Sequence, residues 1–338
     1  MENDVEVVMI GAGAMGGVIA GALARAGVRL SIIDTDAAHV AAIDRDGLCV
    51  EGLVEGMPLR LPATTAPARE AFADLAVVMT PAYETANTAR TAARVLKPEG
   101  AAVSMQNGLG NAEVLVEVLG AGRVFMGSTR ASADRPAPGR PRVTRIDPSR
   151  VGELNGAPLP RTRWLAERLT EGGMPTEVSD NIMGVLWSKF MHNCASNAIS
   201  AITGLTLGEV SRMPGVSRLR WQVIDEAMAV SRAKGIVLEY PDPIPALKRH
   251  TWRKFTKPSM LQHIEAGRPI EIDALNGWLV REAEAMGIDV PVNRIVAALA
   301  RGRALGAQRA KSPPDYRALA AEAEAEIARG ETPWDQVL

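Results

Sequence analysis

A lysine set among core-like residues is the first feature of the chain that can do chemistry. In the run Leu186-Trp187-Ser188-Lys189-Phe190-Met191-His192-Asn193-Cys194-Ala195-Ser196-Asn197, the residues Lys189, Asn193 and Asn197 recur at i, i+4 and i+8. On a helix they form one polar stripe, flanked by Trp, Phe, Met and Cys. An unpaired ammonium is costly in apolar surroundings. The same surroundings lower its pKa toward the range that proton transfer needs. A stripe that simply faces solvent is the plainer alternative, and the core-like neighbours speak against it. His192 points about 100° away from Asn193 on such a helix, so a packed structural role is expected for it.

A glycine loop supplies the second chemical feature. Val5 to Ile10 is an apolar, Val-rich run, followed by Gly11-Ala12-Gly13-Ala14-Met15-Gly16 and then by a small-residue stretch to Gly27. Gly11 suits a tight turn, Gly13 close backbone approach to a pyrophosphate, and Gly16 close packing of helix on sheet. Ala14 and Met15 open the helix, whose free N–H groups and partial positive charge attract phosphate. Asp34 ends the next apolar run and is placed to accept hydrogen bonds from the adenosine ribose. No arginine adjoins it in sequence to take a 2′-phosphate. NAD is therefore the expected cofactor, with NADP the alternative. Asp34 also reads as a helix N-cap for the segment from Ala37.

Further polar residues lie at informative places. Asn107, in Gln106-Asn107-Gly108-Leu109-Gly110, follows an apolar run, where ligands sit in open α/β sheets. Asn-Gly is equally a turn signal. Ser259 and His263 stand in Ser259-Met260-Leu261-Gln262-His263, and Glu271 precedes Ile272-Asp273-Ala274-Leu275-Asn276-Gly277. Alone, Glu271 is an ordinary acid near a helix start.

The elements that must carry these residues change character along the chain. Up to about residue 180, short apolar runs alternate with helical stretches, as in a doubly wound parallel sheet. Helices are expected at 37–46 and 82–96, and strands at 48–54, 57–61, 75–79, 101–105 and 124–128. Residues 131–141, rich in Pro, Gly and Arg, read as a loop. Residues 142–146 and 150–153 read as a hairpin pair. Asp180 is the expected N-cap of a long helix from Ile182 to Ile202. Helical periodicity then continues to the end of the chain, with a linker at Ser312-Pro313-Pro314 and a terminal helix from Tyr316 to Arg329. The expected division is 1–180 for the dinucleotide-binding unit and 181–338 for an all-α unit, with 312–338 as an extension.

Composition narrows the function class. The chain has 338 residues, a net charge of −1 and only 4% aromatics, so no nucleic-acid partner is expected. Hydrophobic residues are 47% and charged residues 23%, with no apolar run fit to span a membrane. Cys49 and Cys194 are too far apart to suggest a metal site or a disulfide framework. Both read as small buried residues, and the chain as a cytoplasmic enzyme acting on a small-molecule substrate.

In order along the chain, Gly-Ala-Gly-Ala-Met-Gly, Gln-Asn-Gly-Leu-Gly, Trp-Ser-Lys-Phe-Met-His-Asn-Cys, Pro-Ser-Met-Leu-Gln and Glu-Ile-Asp-Ala-Leu-Asn-Gly make residues 5 to 305 similar to the ketopantoate reductase (2-dehydropantoate 2-reductase) family. The resemblance implies a Rossmann domain, a helical domain and an active site in the cleft between them. It implies hydride transfer between a nicotinamide and a 2-oxo acid. Lys189 then delivers the proton and Glu271 holds the substrate's hydroxyl or orients the site. Asn107, Asn193 and Asn197 contact ligand, and Ser259 binds a carboxylate. A homodimer is expected. Three departures bear on the substrate and the cofactor. Thr80-Pro81-Ala82-Tyr83 stands where many members carry a lysine. His263 stands where an Asp commonly follows Met-Leu-Gln. Asp34 stands where many members carry a basic or small polar residue. His263 lines the pocket or packs beside it. β-Hydroxyacid and opine-type dehydrogenases share the architecture, and a non-catalytic dinucleotide sensor is the remaining alternative.

Overall fold

The computed structural model describes residues 5–53 and 57–330. Its N-terminal part is an eight-stranded sheet flanked by helices. The sheet begins with β1 (Glu6–Ile10), α1 (Ala14–Arg25), β2 (Arg29–Ile33), α2 (Ala37–Asp46) and β3 (Ala63–Thr64). It continues with β4 (Ala73–Val78), α3 (Thr85–Val95), β5 (Leu96–Ser104), α4 (Asn111–Leu119) and β6 (Val124–Ser128). A hairpin of β7 (Ser132–Ala137) and β8 (Arg140–Arg145) follows, then β9 (Ser149–Glu153), α5 (Pro160–Glu171) and β10 (Thr176–Val178).

Strand order is β10-β9-β6-β5-β4-β1-β2-β3, and only the β6–β9 pair is antiparallel. Val7, Val8, Met9 and Ile10 are all buried because helices cover both sheet faces, which explains the unbroken apolar run of β1. The strand order reverses between β1 and β4. Their carboxyl ends therefore open the crevice in which such sheets bind ligands.

Four expectations are corrected. Residues 131–141 are not a loop, since they hold β7 and the start of β8, a two-stranded unit of its own. Pro136 and Pro141 are tolerated there because a separate hairpin leaves N–H positions without ladder partners. Residues 142–146 pair with β7 and not with 150–153, which instead lie between β6 and β10. The segments 48–54 and 57–61 make only isolated bridges, Leu48 to Leu59 and Glu51 to Arg142, and Val54 lies outside the described residues. Asn181, not Asp180, caps the long helix, with its side chain accepting the Gly184 N–H. Smaller differences are that β5 starts early, at Leu96, and that Cys49 is only half-buried.

The C-terminal part is helical throughout its described residues: α6 (Ile182–Thr203), α7 (Leu207–Arg212), α8 (Pro214–Ala233), α9 (Ile244–Trp252), α10 (Ser259–Glu265), α11 (Asn276–Ala285), α12 (Pro291–Lys311) and α13 (Tyr316–Arg329). Its core is built around α6, one face of which is buried from Ile182 to Ala201. Trp187, Phe190 and Trp278 meet edge to face, with centroids 5.4–5.7 Å apart. Each such pair contributes about 0.5–1.5 kcal/mol beyond burial. The trio fixes α6 against α11 and so sets Lys189, beside Phe190, relative to the turn that carries Glu271. Asn276 crosses the core: its Nδ2 donates to the Cys194 carbonyl and to Asn293 Oδ1. No helix among the described residues is long and apolar enough to cross a membrane.

Candidate active site

The glycine loop adopts the geometry that its sequence asks for. Gly11 has φ +87°, and a Cβ there would lie 2.8 Å from Thr80. A Cβ on Gly16 would lie 1.9 Å from the Gly11 carbonyl, so the helix can approach the loop only with glycine there. Nothing lies within 4 Å of the Cβ position of Gly13, and no side chain caps α1. The uncapped N–H groups and the open space beside them fit a pyrophosphate.

The loop is held by two residues. Asp34 Oδ2 accepts the Ala12 N–H at 2.7 Å, and its Oδ1 accepts the Asp36 N–H at 2.9 Å. A carboxylate has further lone pairs for ribose hydroxyls. Asp36, not Asp34, caps α2, by accepting from the His39 N–H. His39 was not singled out by the sequence. It is fully buried, with Nε2 2.8 Å from the Ala12 carbonyl and Nδ1 2.8 Å from the Gly139 N–H. The Gly139 donor makes Nδ1 the acceptor, so Nε2 carries the proton and donates to Ala12. Burial holds the pKa of His39 down. The expectation that no arginine stands beside the acidic end of β2 holds only in sequence. In space, Arg135 of β7 pairs with Asp36 at 2.7 Å.

Lys189 is half-buried on α6, and its Nζ donates to the Thr129 carbonyl at 2.7 Å. Burial lowers its pKa from 10.5 to about 8, with Glu271 opposing the shift and Arg130 adding to it. Thr129 also faces α1, since its Oγ1 lies 3.9 Å from Met15 Sδ. One residue thus joins the lysine to the glycine loop. Glu271 stands just before the short 3-10 turn Ile272–Ala274, and its Oε1 accepts the Ala82 N–H at 2.9 Å. Where the resembled family often carries a lysine, the β4–α3 segment therefore offers a backbone donor. Tyr83 beside it has its pKa raised by burial and by Glu271 and Glu84. The Leu109 N–H donates to the Ala274 carbonyl at 3.3 Å, so a second loop of the sheet is bonded to the same turn.

The remaining expected residues divide. Asn193 and Asn197 are half-buried on the Lys189 stripe, and their side chains make no hydrogen bond among the described residues. Asn107 is half-buried; its carbonyl accepts from Asn111 and its side chain is likewise unbonded. These amides are free to meet ligand. Ser259 is exposed on the first turn of α10. His263 Nδ1 lies 3.1 Å from the Pro269 carbonyl, two residues before Glu271. Gln106, inside a motif already quoted, proves buried: its Nε2 donates to the Thr80 carbonyl and to Thr85 Oγ1. Thr129 and Arg130 had no signal in the sequence, because their roles come from contacts 60 residues away.

The model of the family described as ketopantoate reductase PanE/ApbA matches residues 7–156, and that of its C-terminal part matches residues 181–304. The chain belongs to the ketopantoate reductase family. A 2-dehydropantoate 2-reductase of Halobacterium salinarum is 31% identical over 299 residues, covering 87% of this chain and 97% of that one. One from Mesorhizobium japonicum is 31% identical over 333 residues, covering 90% and 98%. Among solved structures, a PanE/ApbA family ketopantoate reductase from Ralstonia eutropha JMP134 superposes with a TM-score of 0.83 at 33% identity, covering 90% of this chain and all of that one. A D-mandelate dehydrogenase in a ternary structure with NADH and anilino(oxo)acetate shares the fold, with a TM-score of 0.82 at 22% identity and 90% and 99% coverage. As a ketopantoate reductase family member, the chain is a nicotinamide-dependent oxidoreductase acting on CH–OH groups.

Proposed function

We propose that the chain is an NAD-preferring oxidoreductase that interconverts 2-oxo acids and 2-hydroxy acids, or closely related ketones and secondary alcohols. The observation that carries this reading is Lys189. It is an ammonium of lowered pKa, anchored by a carbonyl that adjoins the cofactor helix, and it faces Glu271. Bound nicotinamide supplies or accepts the hydride. Lys189 holds the proton that the developing alkoxide oxygen takes up, and receives it back in the reverse direction. Glu271 keeps Lys189 charged and orients the substrate's polar groups. Asn107, Asn193 and Asn197 present unbonded amides to substrate and nicotinamide, and Ser259, exposed on the first turn of α10, receives a carboxylate. His263 props the segment leading to Glu271 through Pro269.

Asp34 supports NAD, because its carboxylate suits ribose hydroxyls and repels a 2′-phosphate. The Arg135 charge nearby is already matched by Asp36. NADH in the D-mandelate dehydrogenase structures is an instance of that cofactor on this fold. The division of labour we propose is 1–180 for the dinucleotide and 181–338 for the substrate, in a cytoplasmic homodimer. Light scattering of the purified protein tests the dimer. The function is tested by following NADH absorbance with a panel of 2-oxo acids, 2-hydroxy acids and ketones, run in parallel with NADPH. Turnover that survives Lys189→Ala, or a preference for NADPH, overturns the corresponding part of the reading.

A further inference from the structure

Close to Lys189 the structure gathers the cations Arg220 and Lys254 without matching acids, with the imidazoles of His192 and His250 between them and the lysine. Arg220 on α8 is 1% exposed. Its Nη1 donates to Ser211 Oγ at 3.1 Å and its guanidinium lies 4.2 Å from the Trp221 ring centroid, but its Nε has no partner. His192, at i+3 from Lys189, meets His250 edge to face at 5.7 Å, and Arg220 and Lys254 act on it electrostatically. Thr251, next to His250, accepts from the same Ser211 hydroxyl at 3.1 Å. Lys254 follows α9 and is half-buried. Arg145, at the end of β8, acts on both His250 and Lys254 from the N-terminal part.

The nearby acids are already engaged. Asp147 pairs with Arg145 at 2.9 Å, and Glu239 pairs with Arg130 at 2.6 Å and Arg150 at 3.0 Å. Asp147 acts on His250 and Lys254 only at longer range. Among the described residues, neither Arg220 nor Lys254 has an acid within 4.0 Å. A buried guanidinium with one hydroxyl and one ring face for company is poorly compensated. The missing charge is one that a ligand can bring.

We propose that His192, Arg220, His250 and Lys254 form an anion subsite for a second acidic group on the substrate, so that the preferred substrates are 2-oxo dicarboxylates. The proposal rests on the reading of Lys189 as proton donor, which fixes where the reacting carbonyl sits. Side chains at i and i+3 are about 5–6 Å apart at Cβ, so the second carboxylate belongs a few carbons beyond the carbonyl. Ser259 and the amides remain for the first carboxylate.

The test compares 2-oxoglutarate with 2-oxopentanoate, equal in length but neutral at the far end, using NADH and the full-length protein. The expected result is a kcat/KM at least tenfold higher for 2-oxoglutarate, and collapse of that ratio toward one in Lys254→Met and His250→Gln. A wild type indifferent to the second carboxylate overturns the proposal, as do variants that lower both substrates equally. Glutarate, which has no carbonyl to reduce, separates this from failure of the redox reading. Calorimetry should show it binding to the wild type and not to Lys254→Met, whether or not turnover is seen, and no binding to the wild type overturns the subsite. Arg220→Met should keep or raise Tm while losing glutarate. A lowered Tm with glutarate binding intact would show that the charge serves the fold. If Arg220→Met does not fold, the other two variants decide.

Discussion

Glu271 Oε1 accepts the Ala82 N–H across 2.9 Å, joining residues 189 positions apart in sequence. The bond ties the turn before α11 to the loop at the carboxyl end of β4. Glu271→Gln keeps an acceptor for Ala82 but removes the charge that favours protonated Lys189. The inflection of the pH–rate profile for reduction should therefore move to lower pH in this variant. Glu271→Ala should cost more activity, since it also leaves the Ala82 N–H without its partner. An unmoved inflection in Glu271→Gln would separate Glu271 from the proton-transfer step.

In the proposed reaction Lys189 sets the pH dependence of the wild type. With a pKa of about 8, it carries its proton below that pH. Reduction, which needs the acid, should fall as pH rises through about 8, and oxidation, which needs the base, should rise over the same interval. Stopped-flow or steady-state rates in both directions check the mirror symmetry; parallel profiles would assign the proton to another group.

Lys189→Met should lower turnover by about a hundredfold or more, with little change in NADH binding as read by fluorescence. Burial desolvates the ammonium, so replacing it with an apolar chain of similar length should leave Tm unchanged or higher. Loss of activity accompanied by a large fall in Tm would instead mark Lys189 as a structural residue.

Cofactor choice should respond to Asp36 as well as Asp34. Asp36→Ala releases Arg135 from its ion pair, and Asp34→Asn removes a repulsive charge while keeping an acceptor for Ala12. The double variant should gain about tenfold or more in its NADPH to NADH preference, the scale of one hydrogen bond to a charged group. If the ratio stays put, Arg135 does not reach the 2′-position.

Three histidines should make the fold acid-labile. Burial lowers the pKa of His39 and of His250, and that of His192 to about 3. Below 6.5 the unfolded chain binds protons that the folded chain refuses, so stability rises with pH there. Their contribution is complete above about 6.5 and is lost as pH falls below it, for His192 down to about 3. Denaturant midpoints between pH 7 and 4 measure this, and His39→Gln should flatten part of the slope.

The sequence makes legible whatever depends on period and on glycine. The β1–α1–β2 unit, the acid at the end of β2 and the polar stripe of α6 could all be read because each is a local pattern. The β7–β8 hairpin could not, since its prolines and arginines resemble a loop and its strands belong to no buried sheet. Asp34 and Asp36 are both candidate caps in sequence because two acids lie within three residues, and only the His39 N–H chooses between them. Thr129, Ala82 and Arg135 carry no sequence signal, because each acts on a residue far along the chain.

The contacts that place Lys189, Glu271 and the glycine loop are made largely by the main chain: the Thr129 carbonyl for Lys189, the Ala82 amide for Glu271, and both polar groups of Ala12 for the loop. Main-chain groups are common to every amino acid at those positions, save the amide that proline lacks. Residue 82 is therefore free to drift without moving the machinery, whereas Thr129 also holds Met15, Ala131 and Ser149 through its hydroxyl, and the walls around the site can be rewritten for new substrates while the reaction stays the same.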